Sequence, residues 1–487
     1  MKKDKQLLEN LRNGVHLSFK DRLSLVLLLS YPTVIAMMTS VITEYIDAAM
    51  VGRIGAEKAA SIGLIASTMW LVGSLVGAVS TGFSVQVAHR IGAKEEKEAR
   101  SVVRHGLLLS LCFALFLMLI GLLLYRHLPI WLGGSGEIAR DASRYAIVYV
   151  IMLPIMQLSR SADGMLQSSG NTKIAGAIGV IICVLDACFN YLLIFETRTV
   201  YIFGNAVTVP GAGLDVMGAS LGTMLAETVG MCIAMYYLFF KLEWNKIRNH
   251  GDGSSDTLAV WNGERIRRTV PVIKKELSKA LRISTPIAIE MIIMNSAQIM
   301  ITKIVVPLGA VSIAANSFAI TAEGFCYMPG YGIAIAATTL IGQSIGANRK
   351  ELAGKLAYMV TAIGMVIMAV TGVILYAFAP QIMSLISPDP EIIELGAAVL
   401  RIEAFAEPLF AAGMVVGGVF RGTGNTLFPS IANLISMWAI RIPLAAYLTP
   451  KIGLRGAWIA MCVELSIRGI FFIIMLVVWK KRKTEEH

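Results

Sequence analysis

Runs of about 20 or more predominantly apolar residues alternate along this chain with short polar, basic stretches. A run of that length crosses a hydrocarbon core of about 30 Å at about 1.5 Å per helical residue. Twelve such blocks are read, at 23–51, 59–88, 101–125, 145–166, 174–195, 216–240, 283–306, 312–342, 354–378, 396–420, 427–449 and 456–479. The polar remainder then divides into an N-terminal segment (1–22), a connection (241–282) between two sets of six helices (23–240 and 283–479), and a tail (480–487).

The two sets are copies of each other. Residues 32–172 lie on residues 286–426 at a constant offset of 254 without a gap. The coincident residues are mostly those that set backbone shape: Pro32/Pro286, Gly55/Gly309, Gly92/Gly346, Pro154/Pro408, Gly164/Gly418, and Gly170-Asn171-Thr172 against Gly424-Asn425-Thr426. Gly218-Ala219 matches Gly456-Ala457 at an offset of 238, so the first copy carries 16 extra residues, placed within 197–213. There, β-rich arms about Gly204-Asn205 predict either a small hairpin or a plain loop. Six spans per copy is an even number, so both copies enter the membrane from the same side. The expected fold is an all-α integral membrane protein with twelve transmembrane helices in two parallel-repeat six-helix lobes.

Composition agrees with this reading: 56% of the 487 residues are hydrophobic and 15% charged, and the mean hydropathy is +0.69. These values exclude an ordinary soluble domain of this length. A formal charge of +11 suits a nucleic-acid partner until its distribution is followed. Of the 43 Lys and Arg residues, 30 fall in the tails, on the loop side they share or in the span ends adjoining it, 9 on the other side or its span ends, and four deeper within spans. That is the positive-inside pattern. Both termini are expected in the cytoplasm, with the chain in an inner or plasma membrane and no nucleic-acid role. No small-residue cleavage site follows the first block, so the first helix is expected to be retained.

Several chemistries lack their residues. The six cysteines lie in apolar spans without CxxC spacing, which speaks against a disulfide framework or a zinc site. Neither HExxH nor a P-loop occurs. Gly218-Ala-Ser220-Leu-Gly222 has the spacing of a nucleophile elbow, but it opens a span, where close helix packing is the better account. The spacings Gly73/Gly77 and Gly413/Gly417 also predict close backbone approach. No enzyme activity and no cofactor are expected, so work must come from an existing gradient or a partner. In the connection, 272–281 reads either as an amphipathic helix on the inner leaflet or as a charged tether.

Ionisable residues inside spans cost about 2.5–3.5 kcal/mol each at a helix centre and tend to be functional. Glu44 and Asp47 are three apart, on one face of the first helix, and Asp186 is near the middle of the fifth. A pocket formed by them could hold a proton or Na⁺. The second copy carries Glu290, Glu323 and the pair Glu403/Glu407, lining a cavity or forming a second site, with Arg401 beside the pair. Glu464/Arg468 reads as a structural ion pair, and Arg160 with Asp163 as a self-neutralising pair. Arg441 has no sequence-local partner. Prolines 32, 154, 286, 329, 408 and 443 are expected to interrupt helices, as helices bordering cavities tolerate.

Pro32, the stretch Tyr45-Ile-Asp47-Ala-Ala-Met-Val-Gly52-Arg-Ile-Gly55, Met328-Pro-Gly330, Leu340-Ile-Gly-Gln343-Ser-Ile-Gly346-Ala and Arg421-Gly-Thr-Gly-Asn-Thr426 together resemble the multidrug and toxic-compound extrusion (MATE) family, over about residues 20–480. The resemblance implies two six-helix lobes about a central cavity, exporting organic, often cationic or amphipathic compounds in exchange for H⁺ or Na⁺. It implies cation-coupling roles for Asp47, Asp186 and Thr223, with Na⁺, if used, at Asp47 and Asp186. The family's asparagine four residues before the fifth-helix acid is Ile182 here, and Asn190, one turn beyond that acid, is the expected substitute. The second-lobe acidic positions of many members are Met294 and Phe410 here, which moves the expected coupling to the first lobe. Its surroundings are then the bilayer and small organic substrates, and a monomer is expected. A lipid-linked precursor flippase of the related superfamily and a passive channel are the competing readings.

Overall fold

The computed structural model describes residues 2–202, 205–242 and 263–485. The first half runs through α1 (Lys2–Arg12), α2 (Phe19–Gly52), α3 (Ala56–Gly92), α4 (Glu96–Leu124), α5 (Leu128–Trp131), α6 (Gly136–Ser168) and α7 (Thr172–Ile194). A hairpin of β1 (Glu196–Ile202) and β2 (Asn205–Ala212) leads to α8 (Asp215–Tyr236). After it come α9 (Gly263–Val305), α10 (Ala310–Gly346), α11 (Lys350–Ile386), α12 (Pro390–Glu403) and α13 (Glu407–Thr423). The chain closes with α14 (Leu427–Ile435), α15 (Ile442–Ile452) and α16 (Leu454–Glu485).

Among the described residues, eleven helical stretches are long and apolar enough to cross a membrane. The tenth predicted block, 396–420, is instead two shorter helices, because α12 ends at Glu403 and α13 restarts after a turn at 404–406. Pro408, at the start of α13, lacks the N–H that a continuous ladder needs there. Pro443 has a related effect: the π-helical turn Ser436–Arg441 precedes it and joins α14 to α15 within one span. Pro32, Pro154 and Pro329 do not interrupt their helices as expected; α2, α6 and α10 run through them, as α9 does through Pro286.

The repeat is visible in the backbone. Gly170 and Gly424 both have left-handed φ, at 89° and 81°, and end α6 and α13 alike. Lys94 and Asn348, also 254 apart, are both left-handed at 62° and 56°, a conformation that few non-glycine residues adopt. The insertion forms a hairpin, with β1 and β2 antiparallel from Glu196↔Ala212 to Ile202↔Asn205 and an irregularity between Glu196 and Arg198.

Two compact units emerge. The carboxy-terminal one comprises Met1–Tyr45, Gly170–Val180 and Pro286–His487; the amino-terminal one comprises Ile46–Ser169 and Ile181–Thr285. In the amino-terminal unit, α9 begins as the extension of the seventh span instead of lying as a separate surface helix, and its first part is anchored. Its Glu276 is buried at 7% exposure, accepts from Ser101 Oγ at 2.8 Å and pairs with His105 Nδ1 at 2.7 Å. Gly82 lets Ala280 and Ser284 of α9 close on α3, since a Cβ there would collide with both. The rest of the connection, 243–262, lies outside the described residues.

In the carboxy-terminal unit, α10 and α13 meet closely at Gly418 and Gly422, where a Cβ would strike the carbonyls of Ala334 and Thr338. This is the close seam; a Cβ at Gly413 would be 4.0 Å and at Gly417 3.6 Å from its nearest neighbour, and at Gly77 nothing is near. The expected GxxxG contacts at 73/77 and 413/417 are therefore not where helices touch most tightly.

The N-terminal segment is not merely polar. Leu7, Leu8 and Leu11 on one face of α1 are buried in a core with Leu340, Ile341 and Leu356. Arg12 donates from Nε and Nη2 to Gln343 Oε1 at 3.2 and 3.1 Å. Arg349 Nη1 donates to the carbonyls of Leu11 and Val15 at 3.1 and 2.9 Å, covering the end of α1 where helix carbonyls lack partners. Leu11→Ala is expected to cost about 2–5 kcal/mol and to speed tryptic cleavage at Lys5 and Arg12 by about tenfold or more. An unchanged cleavage rate would show that α1 is not held by this packing.

Candidate functional site

In the amino-terminal unit, Asn190 on α7 joins two acids. Its Nδ2 donates to Asp47 Oδ1 at 2.7 Å and to Asp186 Oδ2 at 3.0 Å, using both hydrogens of one amide. Asp186 and Asn190 are one helical turn apart and fully buried. The Thr223 hydroxyl of α8 is in hydrogen-bonding contact with the Asp186 carboxyl, and it donates to the Ala219 carbonyl at 3.2 Å.

Glycine makes this geometry possible. A Cβ at Gly222 would fall on the Asn190 amide, and one at Gly218 on the backbone of Leu193 and Ile194. The Gly218–Gly222 stretch therefore packs α8 directly on α7, which brings Thr223 to Asp186. Tyr145 of α6 stands beside Asp47 and Asp186, among Val51, Ile194 and Ala219. Sequence reading did not reach it, because a tyrosine in an apolar span carries no signal of its own.

Two oxygens in this cluster, Asp186 Oδ1 and Asn190 Oδ1, are buried without a hydrogen-bond partner. An oxygen left unpaired in low dielectric is costly unless something binds it. Two carboxylates, an amide oxygen and a hydroxyl form a hard-oxygen set that suits a proton or a small cation. Glu44, three residues before Asp47 on α2, is exposed and acts electrostatically on Tyr45 and Tyr327.

The second-copy acids separate into two places within the carboxy-terminal unit. Glu290 accepts from Ser430 Oγ and Asn433 Nδ2, each at 2.5 Å, on the rim of a small cavity that Arg421 and Thr426 also line. Glu323 of α10 lies elsewhere with Glu403 and Glu407, which flank the break between α12 and α13; the three are at 6%, 0% and 0% exposure. Arg441 is the cationic neighbour of Glu323, Glu403 and Glu464, so the arginine without a sequence-local partner has its carboxylates on three other elements. Arg468 pairs with Glu464 at 3.2 Å, as the spacing predicts. Both carboxyl oxygens of Glu403 are buried without a hydrogen-bond partner. Asp163 accepts from Gln167 at 2.6 Å, with Arg160 acting on it electrostatically from an exposed position.

A family model described as MatE matches residues 32–192 and 286–447, two stretches whose starts differ by the repeat's own offset. The chain is similar to the probable multidrug resistance protein NorM of Thermotoga maritima, 27% identical over 442 residues, covering 90% of this chain and 88% of that one. It is also similar to multidrug and toxin extrusion protein 1 of Xenopus tropicalis, 23% identical over 470 residues and covering 94% and 75%. Two solved structures share its fold. One is an outward-facing multidrug resistance MATE family transporter of the MOP superfamily, with TM-score 0.81, 21% identity and 94% and 96% coverage. The other is MATE in the straight conformation, with TM-score 0.83, 21% identity and 98% and 99% coverage. With its repeated half matched twice and its apolar helices in the same arrangement, the chain belongs to the multidrug and toxic-compound extrusion family, a family of membrane transporters and not of enzymes.

Proposed function

We propose that this chain is a secondary active efflux antiporter that exports organic, often cationic or amphipathic compounds in exchange for H⁺ or Na⁺. The observation that carries this reading is the Asn190 amide spanning Asp47 and Asp186, with two buried oxygens beside it left unpaired. Two carboxylates held this close in low dielectric are stabilised by one bound cation or one shared proton. Asp47 belongs to α2 and Asp186 and Asn190 to α7, so a cation entering or leaving changes what holds these helices together. Substrate release then follows from the different affinity of the two helix arrangements for the ion. The names of the curated relatives support multidrug compounds as the cargo.

The site is placed in the first lobe, residues 23–240, with the second lobe, 283–479, shaping the cavity. The chain works as a monomer in the cell membrane, with both termini in the cytoplasm.

Reconstituted vesicles test the coupling. Uphill movement of a fluorescent organic cation is expected under an imposed Na⁺ or pH gradient, and under only one of the two if the site discriminates between the ions. Flux that only follows the substrate's own gradient would instead make the protein a passive channel. Movement of a lipid-linked precursor without organic-cation transport would make it a flippase.

A further inference from the structure

One groove is lined by none of the acids described above. It is an open depression of about 450 Å³ in the carboxy-terminal unit, lined by Tyr376 of α11, Arg401 of α12, Phe405 of the turn at 404–406, and Ile459, Cys462 and Val463 of α16. That volume is within the range of about 300–1,000 Å³ typical of small-molecule sites. Its walls are apolar and open to the surroundings: Phe405 is 72%, Tyr376 46% and Val463 37% exposed. The groove lies beside the break between α12 and α13, with Phe405 of that break in its wall.

Arg401 gives the groove its chemistry. Its Nε donates to the Tyr376 carbonyl at 3.3 Å, and its guanidinium is 5.7 Å from the centre of the Tyr376 ring. The Tyr376 and Phe405 rings meet edge to face at 5.6 Å, which fixes the wall beneath it. Among the described residues no carboxylate pairs with Arg401. Glu403, two residues on, is buried on the other side of the helix. The forked Nη edge is therefore open to an external anion, and a planar guanidinium fits a phosphate bidentately.

Depth agrees with this chemistry. Tyr376, Arg401 and Ile459–Val463 each lie within seven residues of an edge of their apolar blocks, about 10 Å at 1.5 Å per residue. The edges concerned all belong to the end of the unit where α11 finishes and α16 begins, remote from the carboxyl end of α16. A long cationic side chain at that level reaches the headgroup layer while its stem stays among acyl chains.

We infer that this groove binds an anionic phospholipid of the leaflet remote from the C-terminus, with its phosphodiester on Arg401 and an acyl chain along Phe405, Ile459 and Cys462. The inference depends on the chain spanning a bilayer and not on which ion or compound it transports.

Native mass spectrometry of the full chain in mild detergent, with matched phosphatidylglycerol and phosphatidylcholine added, tests it. The wild type is expected to retain phosphatidylglycerol at least fivefold over phosphatidylcholine. Arg401→Gln should lose the preference and Arg401→Lys keep part of it, while Ile459→Trp, which fills the groove and leaves the charge in place, should lose both lipids. Phosphatidylglycerol should also slow maleimide labelling of Cys462 in the wild type and not in Arg401→Gln. Equal retention of the two lipids by the wild type would overturn the inference, as would an Arg401→Gln protein that keeps the preference. A dimer that dissociates on Ile459→Trp would overturn it too, by assigning the groove to a second copy of the chain.

Discussion

Asp47→Asn is expected to abolish uphill efflux from reconstituted vesicles while leaving the protein folded. Asparagine has the size of aspartate, and its Oδ1 can still accept from Asn190 Nδ2, the bond made by Asp47 at 2.7 Å. What disappears is one of the two negative charges at the proposed coupling site. A hydrogen bond to a charged group contributes about 1.5–3 kcal/mol, so ion affinity should fall about ten- to a hundredfold, and the ion would no longer sense the gradient at working concentrations. Glu44→Gln is the matched control: Glu44 is exposed, so efflux should persist. The proposed coupling site is wrong if Asp47→Asn still concentrates substrate against its gradient.

Arg441→Met should have the largest effect on stability. The guanidinium stands among Glu323, Glu403 and Glu464, and the other arginine nearby, Arg468, is already paired with Glu464 at 3.2 Å. Arg441 is their electrostatic counter-charge rather than a directly bonded partner, and removing it is destabilising because the buried carboxyls lose that charge without regaining water. A large drop in the melting temperature of the detergent-solubilised protein is expected. The double variant Arg441→Met/Glu403→Gln should recover part of it by removing one of the stranded carboxyls. If Arg441→Met melts with the wild type, the glutamates do not depend on this arginine.

The sequence was most readable where a single residue type dictates local geometry. The 254-residue offset was carried by prolines and glycines, and it reappears as matched left-handed backbone at Gly170/Gly424 and Lys94/Asn348. Asp47 and Asp186 stood out because a charge in an apolar block has few structural uses, and the Gly218–Gly222 spacing pointed to the close packing that brings Thr223 to Asp186. What could not be read depends on residues hundreds of positions apart. The surroundings of Arg441 come from α10, α12 and α16, and the partner of His105 from the start of α9. The break at 404–406 was announced by Pro408, but Pro32 and Pro154 carry the same local signal and their helices continue. In those helices, packing and not the missing N–H decided the outcome.

The docking of α1 has a consequence for biosynthesis. The residues of α1 find their final partners, Gln343 and Arg349, only after more than 300 further residues have been made. Until then an apolar face of three leucines must wait without its partners. Closure of this contact is therefore a late event in assembly. It reports that the tenth and eleventh helices of the chain have met, and an epitope tag fused at Met1 would read that event directly.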